Sequence, residues 1–199
     1  PRAITSAIEH PSVTKPALRL RERGARVDVL GVEADGRVRA IDVGALTTDK
    51  TGLVTIMHAN NETGAVQPIA ELAGFAHDAG ALVHTDAAQS AGKIPVRVGE
   101  LGVDLLTIAG HKLYAPRGVG KLYVRRGTRL APVLLGAGHE RGLRPGTENV
   151  ASIVGLGVAC ELAERELRGR AERMRVLSER LLAALRAGVP GLALNGHES

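Results

Sequence analysis

The chain has 199 residues, enough for one domain with a substantial core, and its 44% hydrophobic and 24% charged residues are typical of a soluble protein. The net charge of +5 allows an anionic partner, but the basic residues form no run with interleaved aromatics, which disfavours nucleic acid binding. A single cysteine excludes an internal disulfide framework, and no apolar run approaches the length of a membrane span. We therefore expect a cytoplasmic protein with neither a membrane nor a nucleic acid partner.

Strand-like and helix-like segments alternate along the chain. Apolar, β-branched runs predict strands, and apolar residues at helical spacing predict helices. This alternation indicates an α/β fold, with a mainly parallel sheet flanked by helices. In chain order we predict a helix at residues 13–23, strands at 27–32 and 53–59, a helix at 69–79, strands at 81–85, 104–109 and 119–124, and a long helical stretch at about 148–185 that is broken near Gly169.

Polar side chains follow three of the predicted strands. The near-continuous apolar character of these strands indicates burial on both faces, and ligands of such sheets bind beyond the carboxyl ends of the strands. Asn61 follows one strand, Asp86 and Gln89 follow the next, and His111 and Lys112 follow the third. We therefore expect one ligand site where these three strands end.

Lys112 and Asp86 are the candidate reactive groups of that site. A lysine that projects into a partly desolvated cleft can form an imine, although an isolated lysine at a strand end is most often a surface residue. Asp86 opens a segment of small residues that leaves room for a flat ring, and a carboxylate is the usual partner of the ring nitrogen of pyridoxal phosphate. Alternatively, Asp86 and Ser90 cap the turn or helix that follows.

Other polar residues have simpler interpretations. Asn61 belongs to a polar turn, where asparagine is common, and its place beside the other strand ends favours contact with a ligand. His84 and Asp86 could form a metal pair, but no third and fourth ligand stand at suitable spacing, so no metal site is predicted. Cys160 lies within a helical pattern, away from every motif, and is interpreted as a small core residue.

Five motifs in a fixed order extend this interpretation. They are Ala7-Ile8-Glu9-His10, the segment from His58 to Gly64, the segment from His84 to Ser90, Gly110-His111-Lys112, and the segment from Gly138 to Asn149. Together they resemble the cysteine desulfurases, which belong to the class V branch of the aspartate-aminotransferase fold. The resemblance covers about residues 3–196, and the Gly-His-Glu-Arg-Gly segment distinguishes this family from other class V aminotransferases.

The resemblance implies pyridoxal 5′-phosphate as the cofactor and assigns roles around its ring. Lys112 would form the internal imine and later move protons, and Asp86 would pair with the ring nitrogen. Gln89 and Asn61 would contact the phenolic oxygen and the substrate side. His10 would stack on the ring face, although a lone histidine is more often a hydrogen-bonded structural residue.

The resemblance also implies how the phosphate is held. His111 would bind it, and Thr147 would reach the phosphate of the partner subunit in a homodimer. Many members of the family carry a serine where this chain has Ala109, so one hydroxyl contact would be missing. The family's Gly-Thr phosphate loop would lie before Pro1.

The activity that the resemblance implies is removal of sulfur from L-cysteine. The products would be L-alanine and an enzyme persulfide for iron–sulfur cluster assembly or another sulfur-acceptor or scaffold protein. The nucleophilic cysteine and the arginine that binds the substrate carboxylate would lie beyond Ser199. Residues 1–147 would be most of the cofactor-binding large domain, and residues 148–199 would be long helices leading into a small domain.

Two alternatives stay open at this point. A selenocysteine lyase or another class V aminotransferase would share the lysine and the aspartate. Because the cysteine and arginine are absent from these 199 residues, the chain could also be an inactive fragment or a non-catalytic dimerising remnant.

Overall fold

A six-stranded sheet lies at the centre of the computed structural model, which describes residues 1–197. The strands are β1 (Arg2–Ser6), β2 (Arg26–Leu30), β3 (Thr51–Thr55), β4 (Leu82–Asp86), β5 (Leu105–Ala109) and β6 (Gly120–Val124). The helices are α1 (Pro11–Glu22), α2 (Ala40–Leu46), α3 (Ile69–Asp78), α4 (Val98–Leu101) and α5 (Val150–Gly188), with 3₁₀ turns at Gly110–Leu113 and Glu140–Gly142.

The order of strands contains a topological switch point between β1 and β3. The order is β2-β1-β3-β4-β5-β6, in which only β6 is antiparallel to its neighbour. The chain leaves β1 to form β2 on one side and then returns to form β3 on the other side of β1. Crevices beyond the carboxyl ends of strands at such a switch point are the usual ligand sites of α/β sheets. We call this side of the sheet the carboxyl edge.

Small aliphatic residues form the main core, as the shortage of aromatic residues requires. Ile4, Val54, Val83 and Leu106 lie on four neighbouring strands, and each is at most 2% exposed. Leu72 of α3 packs into the same cluster. Burial of such side chains is the main stabilising contribution to the sheet and fixes which strand faces are covered.

A second, smaller cluster joins α5 to the 3₁₀ turn that follows β5. Leu113 of that turn packs with Leu156 and Ala159 of α5, and Cys160 is half-buried against them. Cys160, predicted to be a small core residue, thus packs against this cluster at its half-buried margin. Among residues 1–197, no helix combines the length and the apolar character needed to cross a membrane.

All five predicted strands are present, but three elements, β1, α2 and the four-residue α4, were missed, and one predicted strand end and one predicted helix break were wrong. β1 opens the chain, where no preceding turn marks its start. α2 has only seven residues and contains Gly44, which weakens a helical pattern. A Cβ at Gly44 would lie 2.8 Å from the Phe75 ring, so the glycine allows α2 to pack closely on α3.

The strand predicted at residues 53–59 ends at Thr55, because the chain then leaves the regular ladder. Ile56 and His58 still donate backbone hydrogen bonds to carbonyls of β4. The predicted break near Gly169 is wrong, since α5 runs without interruption for 39 residues. An ion pair of 2.6 Å between Glu166 and Arg170 spans the glycine and helps to offset its low helix propensity.

Candidate active site at the carboxyl edge

Four neighbouring strands deliver the predicted site residues to the carboxyl edge. His10 follows β1, Asn61 follows β3, Asp86 ends β4, and Lys112 lies in the 3₁₀ turn after β5. Adjacent strands of a sheet lie about 4.8 Å apart, so residues distant in sequence become neighbours here. Gln89 and His111 belong to the same strand ends. Thr147 does not, because it is exposed in the segment between β6 and α5.

The turn that carries Lys112 is held by its neighbours on both sides. The Gly110 amide donates to the Val119 carbonyl at 3.0 Å, and a Cβ at Gly110 would lie 2.6 Å from that oxygen. Leu113 is buried in the second cluster. The Lys112 side chain is exposed, and within residues 1–197 its amine makes no hydrogen bond or ion pair. The backbone is therefore fixed while the amine is available for reaction.

The capping role that the sequence allows for Asp86 is present in the structure, and its role toward the ring nitrogen stays a prediction. Asp86 is 7% exposed, and its Oδ1 accepts the Ala88 amide at 2.9 Å, which caps the turn that follows β4. Its Oδ2 makes no hydrogen bond to the described residues, and it is not sealed from solvent. One carboxylate oxygen thus shapes the turn, and the other remains open to a ligand.

The turn after β4 packs directly under the lysine turn. Gly92 has φ +73°, and a Cβ there would lie 2.5 Å from Cδ2 of Leu113. Only glycine allows so close an approach at this backbone conformation. This contact brings the segment that carries Asp86 and Gln89 against the turn that carries Lys112.

Lys93 is a functional candidate that the sequence reasoning missed. Its amine donates to Oε1 of Gln89 at 2.8 Å, and both side chains are half-buried. Burial lowers the pKa of the Lys93 amine, and the positive charge of Lys112 lowers it further. Gln89 and Lys93 stand four residues apart after a strand, but nothing in the sequence showed that their turn would be helical enough to pair them.

Glu9 is a second residue that the sequence reasoning quoted without a role. Its carboxyl is 8% exposed, and Oε1 accepts the Ser6 hydroxyl at 2.5 Å and the Met57 amide at 2.8 Å. Oε2 is sealed from solvent and has no hydrogen-bond partner in the described part of the chain. Burial raises the pKa of Glu9 to about 7 against these two hydrogen bonds, and the negative charge of Asp86 adds to the rise. Glu9 therefore ties the end of β1 to the end of β3, across the switch point.

The loops that carry His10 and Asn61 are held by side-chain hydrogen bonds of His10 and Asn60. His10 caps α1, since its Nδ1 accepts the Ser12 amide at 3.2 Å. In the turn after β3, Asn60 donates to the Ile8 carbonyl at 3.1 Å and its Oδ1 accepts from the next residues. Asn61 is exposed and makes no hydrogen bond within residues 1–197. Asn60 thus holds the turn and leaves Asn61 available.

A histidine ring braces the three strands behind the site. Nδ1 of His84 lies 2.7 Å from the Thr55 hydroxyl, and Nε2 lies 2.8 Å from the Thr107 hydroxyl. Burial lowers the pKa of His84, although the charge of Asp86 opposes this. His84 is therefore used as a structural bridge. Among residues 1–197, no group of three or more His, Cys, Asp or Glu side chains could hold a metal ion.

The comparison of sequences identifies the family. Residues 2–199 match the model of the class V aminotransferases. The chain belongs to the class V aminotransferase family. A cysteine desulfurase of Gluconacetobacter diazotrophicus is 49% identical over 179 residues, covering 89% of this chain and 45% of the relative. The cysteine desulfurase IscS of an Anaeromyxobacter species is 48% identical over 195 residues, covering 97% of this chain and 48% of the relative. The chain spans about half the length of the curated relatives it matches.

Solved structures confirm the predicted fold class. DndA from Streptomyces lividans superposes with a TM-score of 0.90 at 40% identity, covering 99% of this chain and 56% of that chain. A NifS-like protein superposes with a TM-score of 0.89 at 39% identity, covering 92% of this chain and 51% of that chain. SspA in complex with cysteine superposes with a TM-score of 0.78 at 42% identity, covering 80% of this chain and 47% of that chain. The mainly parallel sheet flanked by helices is therefore that of the pyridoxal-phosphate-dependent relatives.

The residues at the carboxyl edge fit pyridoxal 5′-phosphate, the cofactor of this family. The fit rests on three features of residues 1–197: an amine at Lys112 that has no partner among them, an open carboxylate oxygen at Asp86, and a half-buried amide at Gln89. Ala87 and Ala88 keep the floor between them free of bulky side chains. This cofactor requires an amine and an acid at one site, and here they follow adjacent strands.

Proposed function

We propose that the protein containing this chain is a pyridoxal-phosphate-dependent cysteine desulfurase. It would convert L-cysteine to L-alanine and retain the sulfur as a persulfide on a cysteine of the longer protein. The observation that carries the proposal is the uncommitted amine of Lys112 next to the strand end that carries Asp86, in a chain that is 49% identical to a cysteine desulfurase.

Each residue at the carboxyl edge has a task that its surroundings support. When bound, the cofactor withdraws electrons from the carbon that carries the substrate's amino group. The open Oδ2 of Asp86 would hold a proton on the ring nitrogen, and Gln89 would donate to the phenolic oxygen. Lys112 would anchor the cofactor and then move a proton at its own Nζ. The fixed backbone around Gly110 keeps that amine within reach.

Three further residues complete the proposed cofactor site. His10 would lie against the ring face at the end of β1, where its role as the cap of α1 orients the imidazole. His111 would bind the phosphate, since its side chain is exposed next to Lys112. Thr147 would serve the phosphate of a second subunit, since it is exposed in the segment between β6 and α5 and not at one of the four strand ends.

The substrate and partners rest on the relatives. SspA in complex with cysteine supports L-cysteine as the substrate, and the names of the sequence relatives support sulfur removal as the reaction. We propose a cytoplasmic homodimer that passes sulfur to iron–sulfur cluster assembly or to another acceptor or scaffold protein. Exposed apolar side chains at Val133 and Leu135, in the same segment between β6 and α5 as Thr147, support a protein partner.

Covalent attachment of the cofactor tests the role of Lys112. The chain is incubated with pyridoxal 5′-phosphate, reduced with borohydride, digested and analysed by mass spectrometry. We expect the cofactor mass on Lys112 in the unmodified chain and a loss of at least tenfold in labelling of the corresponding peptide in Lys112→Ala. Lys50→Ala is the matched control, because Lys50 is exposed just before β3 at the opposite edge. Equal labelling of exposed lysines with none at Lys112 would contradict the proposal.

A substrate panel tests the reaction once the longer protein is used. L-cysteine, L-selenocysteine and L-alanine are compared, and release of alanine with sulfide in the presence of a reductant is measured. We expect turnover of L-cysteine. Turnover of selenocysteine alone would identify a selenocysteine lyase, and turnover of neither would identify a non-catalytic protein.

A further inference from the structure

We propose that Lys93 is a positioning residue, which fixes the side-chain amide of Gln89 so that its nitrogen faces the cofactor ring. The inference rests on the proposed function, because it assigns a partner to Gln89 within the same site. Lys93 follows Gln89 by four residues in the turn after β4, and the Nζ to Oε1 distance is 2.8 Å. In this arrangement Lys93 acts through Gln89, because it fixes the orientation of the Gln89 amide.

The chemistry of the two groups determines the orientation of the amide. A glutamine side chain has one acceptor atom and one donor nitrogen, and a rotation of 180° exchanges them. A protonated lysine amine has donors only, so it can bind the oxygen and not the nitrogen. With Oε1 held by Lys93, both N–H groups of Gln89 are directed elsewhere. They can then donate to an acceptor such as the phenolic oxygen.

Packing holds Lys93 in the place from which it can do this. Its backbone amide donates to the Ser90 carbonyl at 3.0 Å. The preceding Gly92 approaches Leu113 and Ala163 so closely that an added Cβ would lie 2.5 and 3.1 Å from their side chains. The turn is therefore clamped between the lysine turn and α5. Lys93 is half-buried, so water competes less for the hydrogen bond than it would on an open surface.

The neighbourhood of Lys93 contains a second cation, Lys112. Lys112 is close enough for its charge to contribute, after burial, to a lowered pKa of Lys93. Positive charge beside Gln89 favours an anionic oxygen on the ligand. Lys93 thus combines an orienting hydrogen bond with an electrostatic contribution at the same point.

Binding of pyridoxine 5′-phosphate tests the inference, because this probe has the ring hydroxyl but cannot form an imine with Lys112. Its dissociation constant is measured by calorimetry for the chain, Lys93→Met, Gln89→Leu and the double variant. We expect Lys93→Met to weaken binding about tenfold and Gln89→Leu by a similar factor. The double variant should bind no more weakly than Gln89→Leu, since Lys93 acts through Gln89.

Two further variants separate positioning from a general structural role. Lys93→Arg keeps a donor-only side chain and should restore most of the affinity, whereas Lys50→Met removes a lysine at the opposite edge and should leave it unchanged. The Gln89 side-chain amide signals, observed by ¹⁵N NMR, should shift in Lys93→Met while the circular dichroism spectrum stays the same. These signals report orientation directly.

The outcomes distinguish this inference from the proposed function. If the unmodified chain binds the probe and Lys93→Met behaves like Lys50→Met, the positioning role is wrong and the proposed function stands. Additive losses in the double variant would also overturn it. If the unmodified chain does not bind the probe at millimolar concentration, both the cofactor assignment and the inference fail.

Discussion

At the scale of single residues, the site depends on atoms that are held for one purpose and left open for another. Oδ1 of Asp86 caps a turn, and its Oδ2 stays open to a ligand. Oε1 of Gln89 binds Lys93, and its side-chain nitrogen stays available as a donor. Glu9 differs, because one of its oxygens is sealed without a partner. A buried carboxyl in that state favours the protonated form.

Glu9 should therefore make the stability of the fold depend on pH. The pKa of Glu9 is about 7 in the folded chain, against 4.5 for an unperturbed glutamate. The stabilising contribution of its protonated carboxyl is therefore complete below pH 4.5 and is lost as the pH rises through 7. The loss corresponds to about 3 kcal/mol in the free energy of unfolding. We expect the unmodified chain to lose this amount relative to Glu9→Gln between pH 4.5 and 8, measured by urea unfolding. The exposed Glu71→Gln is the control, and parallel curves for Glu9→Gln and the unmodified chain would contradict the assignment.

At the scale of elements, close backbone contacts decide where the reactive side chains lie. The turn that carries Lys112 rests on β6 through Gly110 and on the neighbouring turn through Gly92. His84 joins β3, β4 and β5 through two hydroxyl groups. Lys112 is thus positioned by residues that have no part in the proposed reaction.

Gly110→Ala should disturb the lysine turn without touching a reactive group. The added Cβ would lie 2.6 Å from the Val119 carbonyl oxygen, so the turn must move away from β6. We expect a loss of about 1–3 kcal/mol in unfolding free energy and a severalfold lower yield of cofactor trapped on Lys112. Gly74→Ala is the matched control, because within residues 1–197 its added Cβ would meet nothing within 4 Å beyond its own chain neighbours and the backbone of α3. It should stabilise the chain by up to about 1 kcal/mol. Normal trapping in Gly110→Ala would show that the turn tolerates the shift.

At the scale of the whole molecule, two apolar surfaces lie outside the sheet. Val133 and Leu135 follow β6 and are 94% and 89% exposed. Met174, Leu177 and Leu181 are exposed along the second half of α5. Contiguous exposed apolar surface is typical of protein interfaces. The proposed homodimer would cover the first of these surfaces.

The oligomeric state should respond to charge on that surface. We expect the chain to sediment as a dimer or larger species at micromolar concentration, and the combined variant Val133→Asp and Leu135→Asp to shift the distribution towards monomer. Ile41→Asp is the control, since Ile41 is an isolated exposed residue of α2. Analytical ultracentrifugation over a range of concentrations provides the measurement. A monomer at every concentration would argue against self-association through this surface.

The sequence by itself determined the fold class, five of the six strands and the residues that gather at the carboxyl edge. Apolar runs and polar strand ends are local patterns, and they persist when the chain folds. The tertiary structure alone decided that β3 returns beside β1, that α5 is unbroken at Gly169, that Glu9 is buried and that Lys93 holds Gln89. Glu9 bonds to Met57 across 48 positions of sequence, and its burial depends on which strands become neighbours. Such properties arise from contacts between distant segments, and no local pattern of residue types encodes them.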